Sequence, residues 1–454
     1  MTLQQYFVSI LTGLLLFSLF SVPIFADTVH CDVVVVGGGS AGIVAAVQSA
    51  RCGAKTILIE AGFQLGGNAT TGGVNFPGLF HAWGKQVIAG IGWELVEETV
   101  QLNHDLLPDF FVPTGTQHWK HQIRVNLPLY VVLAEELCLK SGVEIRYFES
   151  PMEVISLKSS STNSGTDKEN WQLITVSQGE KRTIRCKQMI DCTGNGTLCA
   201  LAGAERMREN TIQPGTFQYS IRSNMDIAKA ETQIADIRKH YEEAQKANLI
   251  KPEDFRNGIM AVIKGDNSNY VFGADNSTGI LRTETNIRGR QSMLRVLRFL
   301  QSLPGGENAK LISMSAEVGV RETWRVKGRY VITADDYRSG KVWADSLAYA
   351  FYPIDLHINE TGVRPAHLKE GVVATIPFRA LLPENIDHLL VAGRCISSDR
   401  FANSALRVQA TCMSSGQVTG AAAALSALKN IAPAELDIAT IKATLKEHNA
   451  IVPE

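Results

Sequence analysis

The segment Tyr352-Pro353-Ile354-Asp355-Leu356-His357 sets a carboxylate and an imidazole two positions apart. On a strand, with its period of two, both side chains leave the same face. Asp355 would then orient the ring while His357 takes a proton. Removing hydride from a carbon that bears a hydroxyl group needs such a base, and histidine's ordinary titration near neutrality suits the task. The plainer alternative is a half-exposed strand with two polar outward positions. Arg407 is a second candidate, for holding substrate or cofactor. Arg321, Glu322 and Arg325 lie close together within residues 317–328. They either bind an anionic or polyhydroxyl substrate or pair with one another. His118 and His121 have H-x-x-H spacing, but no third ligand accompanies them, so surface or half-buried histidines are expected and no metal site.

Such groups need a scaffold, and residues 31–60 read as one: CDVVVVGGGSAGIVAAVQSARCGAKTILIE. Residues 33–36 are apolar and β-branched, as in a buried parallel strand. Gly37-Gly38-Gly39-Ser40-Ala41-Gly42 matches G-x-G-x-x-G, and Ile43, Val44, Ala46, Val47 and Ala50 give the next helix its apolar face. Gly37 permits the tight turn, Gly39 lets backbone approach a pyrophosphate, and Gly42 brings helix against strand. At the helix start, around Ser40 and Ala41, unpaired N–H groups and a partial positive charge favour that pyrophosphate. Glu60 ends the second strand roughly 20 residues on, where a carboxylate accepts ribose hydroxyls. The alternative is an ordinary strand–helix turn.

A second glycine-rich segment follows, Leu65-Gly66-Gly67-Asn68-Ala69-Thr70-Thr71-Gly72-Gly73. A nicotinamide enzyme has no need of it. The longer FAD molecule does, because backbone must also run beside the ribityl chain and the isoalloxazine. With these residues the chain resembles the two-dinucleotide-binding-domain FAD oxidoreductases, and among them the FAD-dependent oxidoreductase family with an LGG-x-x-T-x-GG segment. The resemblance covers nearly the whole chain after the leader. It recurs at Met189-Ile190-Asp191-Cys192-Thr193-Gly194-Asn195-Gly196, at residues 317–328, and in the last block, which holds Leu389-Leu390-Val391-Ala392-Gly393-Arg394 and Thr411-Cys412-Met413-Ser414-Ser415-Gly416-Gln417. It implies FAD contacts at Gly66, Gly67, Asn68 and Thr71, at Asp191, Thr193 and Gly194, at Gly393 and Arg394, and at Gly416. It also implies that the helix from about 411 points its N-terminus at the flavin pyrimidine. Some flavoenzymes attach FAD through a histidine placed like His81. Cys412, near that helix start, is either an acidified thiol or a packing thiol.

The chain has 454 residues and a net charge of -1, enough for one large two-part domain or two domains. Without basic runs, nucleic acid is not an expected partner. Residues 1–26 read as a cleaved secretory signal ending at Ala26, so the mature protein would be exported, periplasmic or secreted. Residues 1–6 lack Lys and Arg, and an uncleaved membrane anchor is the alternative. The membrane is otherwise not expected as a partner. Eight cysteines occur without C-x-x-C spacing, so metal or thioredoxin-like chemistry is not indicated. Sequons stand at Asn276 and Asn359.

The expected architecture is α/β. A Rossmann-type FAD/NAD(P)-binding domain is assembled from 29–203 and 384–428, with a mixed α+β substrate lobe at 206–383. Helices are expected at 93–102, 127–140, 226–249 and 291–303. Strands are expected at 143–148 and 151–157, with a polar hairpin tip at 159–170 and a small antiparallel layer at 171–187. The expected function is an exported FAD-dependent oxidoreductase moving hydride between flavin N5 and a small molecule, a sugar derivative or a hydroxy or carboxylic acid. The alternatives are a flavin-dependent double-bond reductase or monooxygenase, and a non-catalytic FAD carrier. A further electron donor or acceptor is implied but not identified.

Overall fold

The computed structural model describes residues 28–157, 169–265, 268–358, 362–363 and 365–454. The expected leader, most of the hairpin tip at 159–170 and the sequon at Asn359 lie outside the described residues.

Strand β1 (Val29–Val36), helix α1 (Ser40–Arg51) and strand β2 (Thr56–Glu60) form the first unit. Val33, Val34 and Val35 are 0% exposed, as expected of a strand covered on both faces. Residues 40–49 of α1 are all buried, so this helix lies inside the protein. Helices α2 (Ile91–Leu102) and α3 (Leu127–Lys140) follow, and the Asn126 side chain caps α3 by accepting the Leu129 N–H at 3.1 Å. Strands β3 (Glu144–Tyr147), β4 (Glu149–Ser156), β5 (Trp171–Ser177) and β6 (Glu180–Asp191) complete most of the main sheet, in the order β3-β2-β1-β6-β5-β4. The pairs among β3, β2, β1 and β6 are parallel; β6, β5 and β4 pair antiparallel.

Strands β7 (Gly215–Arg222), β8 (Ser268–Val271) and β9 (Lys310–Met314) make a second, antiparallel sheet, ordered β8-β7-β9 and crossed by helix α4 (Gly279–Ser302). Phe217, Val296, Phe299 and Leu300 give this region its own core. Ile332, Tyr337, Leu347, Ile376 and Leu382 pack instead into the large cluster around α1, so the span 206–383 draws on two cores. The helix expected over 226–249 is two helices, Ile227–Thr232 and Ile234–Lys246. Thr232 Oγ1 donates to the Lys229 carbonyl at 2.7 Å, a local bond that competes with helix continuation.

Strand β10 (Leu389–Val391) and helix α5 (Gln409–Lys429) return the chain to the main sheet. Here β6 does double duty. Cys186 pairs with Cys31 of β1 on one side and Trp171 of β5 on the other. From Met189 onward β10 replaces β5 as the neighbour, in parallel. The antiparallel layer expected at 171–187 and the parallel strand ending at Asp191 are therefore joined in one sheet by one strand. No Gly or Pro interrupts 180–191 to separate them. Helix α5 lies directly on α1: a Cβ placed on Gly416 would stand 2.2 Å from the Ala41 carbonyl oxygen. Only a residue without Cβ permits this approach. Among the described residues, no helix is long and apolar enough to cross a membrane.

Candidate active site

The carboxyl ends of β1 and β2 meet the start of α1. Glu60 Oε2 accepts the Gly38 N–H at 2.7 Å and Oε1 accepts the Gly62 N–H at 2.6 Å. Burial pushes this carboxyl up, while the two N–H groups oppose the shift. The second glycine turn docks on the first: Gly66 N–H donates to the Gly38 carbonyl at 2.8 Å. Gly42 is walled in, since its Cβ would stand 1.8 Å from the Gly37 oxygen. Gly39 is the opposite case, because a Cβ there would meet nothing within 4 Å. The space over Gly39 is open, and it faces a helix start with no side-chain cap and no acidic residue in its first turn. A diphosphate fits such a place, where free N–H groups and the helix dipole favour negative charge.

The other expected cofactor residues converge on this cradle, several through bonds to the protein itself. Asn68 Nδ2 donates to the Val320 carbonyl at 2.7 Å, and Thr71 Oγ1 donates to the Gly67 carbonyl at 2.8 Å. Asp191 Oδ1 accepts from Thr193 N and Oγ1, and its Oδ2 accepts the Cys199 N–H. Arg394 donates to the Gly194 carbonyl at 2.9 Å, to Asn195 Oδ1 at 3.0 Å and to the Val320 carbonyl. These side chains fix the walls of the site, and Gly393 N–H is held by Ser415 Oγ at 3.0 Å.

The structure brings His357, Asp355 and Arg407 together. His357 Nε2 lies 3.0 Å from Asp355 Oδ2, and Nδ1 lies 2.9 Å from the Tyr270 hydroxyl. Arg407 Nη2 donates to the Asp355 carbonyl at 3.1 Å and stands 3.8 Å from its carboxylate. The backbone is not the regular strand expected. Only His357–Ile358 is paired as strand, and Ile354 makes a single bridge to Ala366. Nor is the histidine half-exposed, at 5%. Burial, then the charges of Arg321 and Arg407, push His357 down to about 3, against the pull of Asp355. Its titration near neutrality is thus corrected: the ring is neutral at pH 7. The Asp355 carboxyl is held far below the usual range by the His357 bond and by Arg407 and Arg321, which outweigh its burial.

Arg321, Glu322 and Arg325 do not pair with one another. Glu322 is buried, with Arg400 on one side and the Gln213 N–H and Nε2 on the other. Arg325 goes to Glu209 and the Ser398 carbonyl. Arg321 alone turns to the site, with its guanidinium 5.7 Å from the Tyr270 ring centroid and Nη1 on the Pro214 carbonyl. Burial and the neighbouring Arg407 and Arg256 charges push it down to about 9. Arg256 covers Tyr270 at 4.9 Å.

His118 meets Tyr352 edge-on and His367 at a tilt, whereas His121 bonds to the Val112 carbonyl. Among the described residues, no group of three or more His, Cys, Asp or Glu could hold a metal ion. The His81 ring lies flat on Phe110, centroids 3.8 Å apart, and burial pushes it down to about 4. Cys412 is not acidified by its helix start: burial pushes the thiol up to about 12.

Tyr270, Gln213 and Arg256 went unnoticed in the sequence. Tyr270 lies 87 residues from the histidine it touches, and Gln213 lies 144 away, where its Oε1 receives the His357 N–H at 3.0 Å. No local pattern marks them; Tyr270 stands on β8, which pairs with β7, while Gln213 precedes β7 and Arg256 follows the turn at Pro252–Phe255.

A family model described as FAD dependent oxidoreductase matches residues 32–445. Thiamine thiazole synthase of Methanococcus vannielii is 39% identical over 59 residues, 13% of this chain and 23% of that protein. The enzyme of the same name from Methanococcoides burtonii is 43% identical over 54 residues, 12% of this chain and 21% of that protein. The chain thus spans less than a quarter of the length of these curated relatives. A geranylgeranyl bacteriochlorophyll reductase-like structure from Thermoplasma acidophilum covers 93% of this chain and 83% of its own at 11% identity, with a TM-score of 0.40. OxyS anhydrotetracycline hydroxylase from Streptomyces rimosus covers 92% and 66% at 12% identity, with a TM-score of 0.41. Likenesses at these scores bear no inference about chemistry.

Proposed function

We propose a function from one premise: this chain belongs to the FAD-dependent oxidoreductase family. Its cofactor is FAD, and the open cradle at Gly39 with Glu60 beside it fits the diphosphate and ribose. The turn at Gly66 and Gly67 and the start of α5 would flank the flavin. FAD, when bound, supplies a two-electron acceptor. Membership in an enzyme family removes the non-catalytic carrier reading.

The finer proposal is hydride removal from a hydroxyl-bearing carbon of a small anionic compound, such as a hydroxy acid or acidic sugar derivative. One observation carries it: among the described residues, positive charge at the site outweighs negative. Arg256 and Arg321 lie over the Tyr270 ring, and Arg407 stands beside the Asp355 carboxylate. The Arg407 Nε is buried without a partner, and a buried unpaired donor is costly unless a ligand satisfies it. A substrate carboxylate would do so. Arg321 and Arg407 would bind and orient it, and the Asp355–His357 pair would handle the hydroxyl proton.

The test is dye-linked turnover of the FAD-loaded enzyme with a panel of 2-hydroxy acids and aldonates against uncharged polyols. Turnover confined to the acids supports the reading. Turnover of polyols alone overturns the anionic substrate. Oxygen-dependent hydroxylation driven by a nicotinamide nucleotide would establish the monooxygenase alternative instead.

Export remains a proposal resting on residues 1–26. A mature N-terminus at Asp27 supports it, and a retained Met1 in the membrane fraction supports an anchor.

A further inference from the structure

We propose that Tyr270 is the residue that exchanges a proton with the substrate, and that His357 and Asp355 stand behind it as positioning and relay groups. The inference rests on the hydroxyl-oxidising reading above and assigns its proton to a different atom. The imidazole has no nitrogen left for a ligand. Asp355 is ionised at neutral pH and can only accept, so His357 Nε2 carries the hydrogen of the 3.0 Å contact. The neutral ring then has its lone pair on Nδ1, and the Tyr270 hydroxyl 2.9 Å away donates to it. The phenol oxygen keeps free lone pairs and is the end of the chain. The guanidinium groups of Arg256 and Arg321 lie 4.9 and 5.7 Å from its ring centroid, which holds the ring in place.

The proton balance follows from this order. FAD, when bound, would supply the two-electron acceptor for the carbon-bound hydrogen. On the chain's own residues, the substrate O–H bond breaks and its proton binds the Tyr270 oxygen. The Tyr270 O–H bond breaks in turn, and that proton binds His357 Nδ1. The product is a carbonyl compound, and the imidazolium rests against the Asp355 carboxylate. Charges facing His357 are Asp355, Arg321 and Arg407, with Arg256 behind Tyr270 and His118 acting on Asp355. After burial, the two arginines are what hold the ring neutral. A substrate carboxylate on them cancels their part, so the relay accepts a proton best when an acid is bound.

The experiment uses the FAD-loaded protein and its Tyr270→Phe variant, which keeps the ring. 2-Hydroxyisobutyrate, which has no hydrogen on its hydroxyl-bearing carbon to lose as hydride, and isobutyrate differ by one hydroxyl. Both are titrated while the flavin absorbance is followed, and 15N-histidine spectra are recorded alongside. The wild type should bind 2-hydroxyisobutyrate about tenfold more tightly than isobutyrate, one hydrogen bond's worth. The variant should lose that preference while isobutyrate binding holds. The His357 Nδ1 resonance should move toward that of an unbonded imine nitrogen in the variant. A preference that survives in the variant, or an Nδ1 resonance that does not move, overturns the proposal. Binding of neither acid to the wild type would remove the anionic-substrate reading and leave Tyr270 to be judged on the nitrogen resonance.

Discussion

Glu60 accepts the Gly38 N–H at 2.7 Å and so ties the end of β2 to the turn that begins α1. With Gly62 on its other oxygen, the carboxylate fixes the edge of the cradle. Glu60→Ala should release FAD at least about tenfold more readily, since two charge-assisted bonds are lost. Free-flavin fluorescence after buffer exchange measures this.

Gly416→Val should be destabilising, because its Cβ would fall 2.2 Å from the Ala41 oxygen and α5 must leave α1. A loss of about 1–3 kcal/mol or more is expected in denaturant unfolding. Flavin retention should fall with it, since α1 carries the diphosphate end of the site.

Arg407→Gln should raise KM for an acidic substrate roughly ten- to a hundredfold, the value of a hydrogen bond to a charged group. An uncharged analogue should show little change in KM. Steady-state kinetics on the two substrates separates the effects.

His357 titrates near 6.5 in an unfolded chain and is pushed down to about 3 in the fold. Between those values the unfolded chain holds a proton that the native state does not, so stability is lost as pH falls. Asp355, also depressed, adds a loss of the same sign below its ordinary 3.8. His81 and His118 contribute in the same direction. His357→Gln should flatten the decline between pH 6 and 4 by at most about 1.4 kcal/mol per pH unit. Denaturant melts across that range check it.

Cys412 should resist alkylation by iodoacetamide in the native protein at pH 7.5, because burial raises its thiol to about 12. Mass spectrometry of tryptic peptides detects modification. Rapid labelling of Cys412 in folded protein would contradict its role as a packing thiol.

The first unit of the fold was legible because its signals are local: an apolar run, spaced glycines and a terminal acid all fall within residues 31–60. The partnership of Asp355 and His357 was legible too, although the expected regular strand is absent and the pair meets in a loop closed by one bridge. What the sequence concealed depends on distant pairings. Tyr270 reaches His357 because β8 joins β7, and Glu322 finds Arg400 and Gln213 rather than Arg325. Burial was equally hidden, and it decides how His357 titrates. Arg394 was expected as an FAD contact, and its donors go to Gly194, Asn195 and Val320.

The account is tested most directly by anaerobic rapid mixing of the FAD-loaded enzyme with the best hydroxy acid of the panel, protonated or deuterated at the hydroxyl-bearing carbon. It predicts full bleaching of the flavin band in a single turnover, slowed by deuterium. A band that stays unbleached by every acid, and bleaches only with a reduced nicotinamide nucleotide, would contradict it.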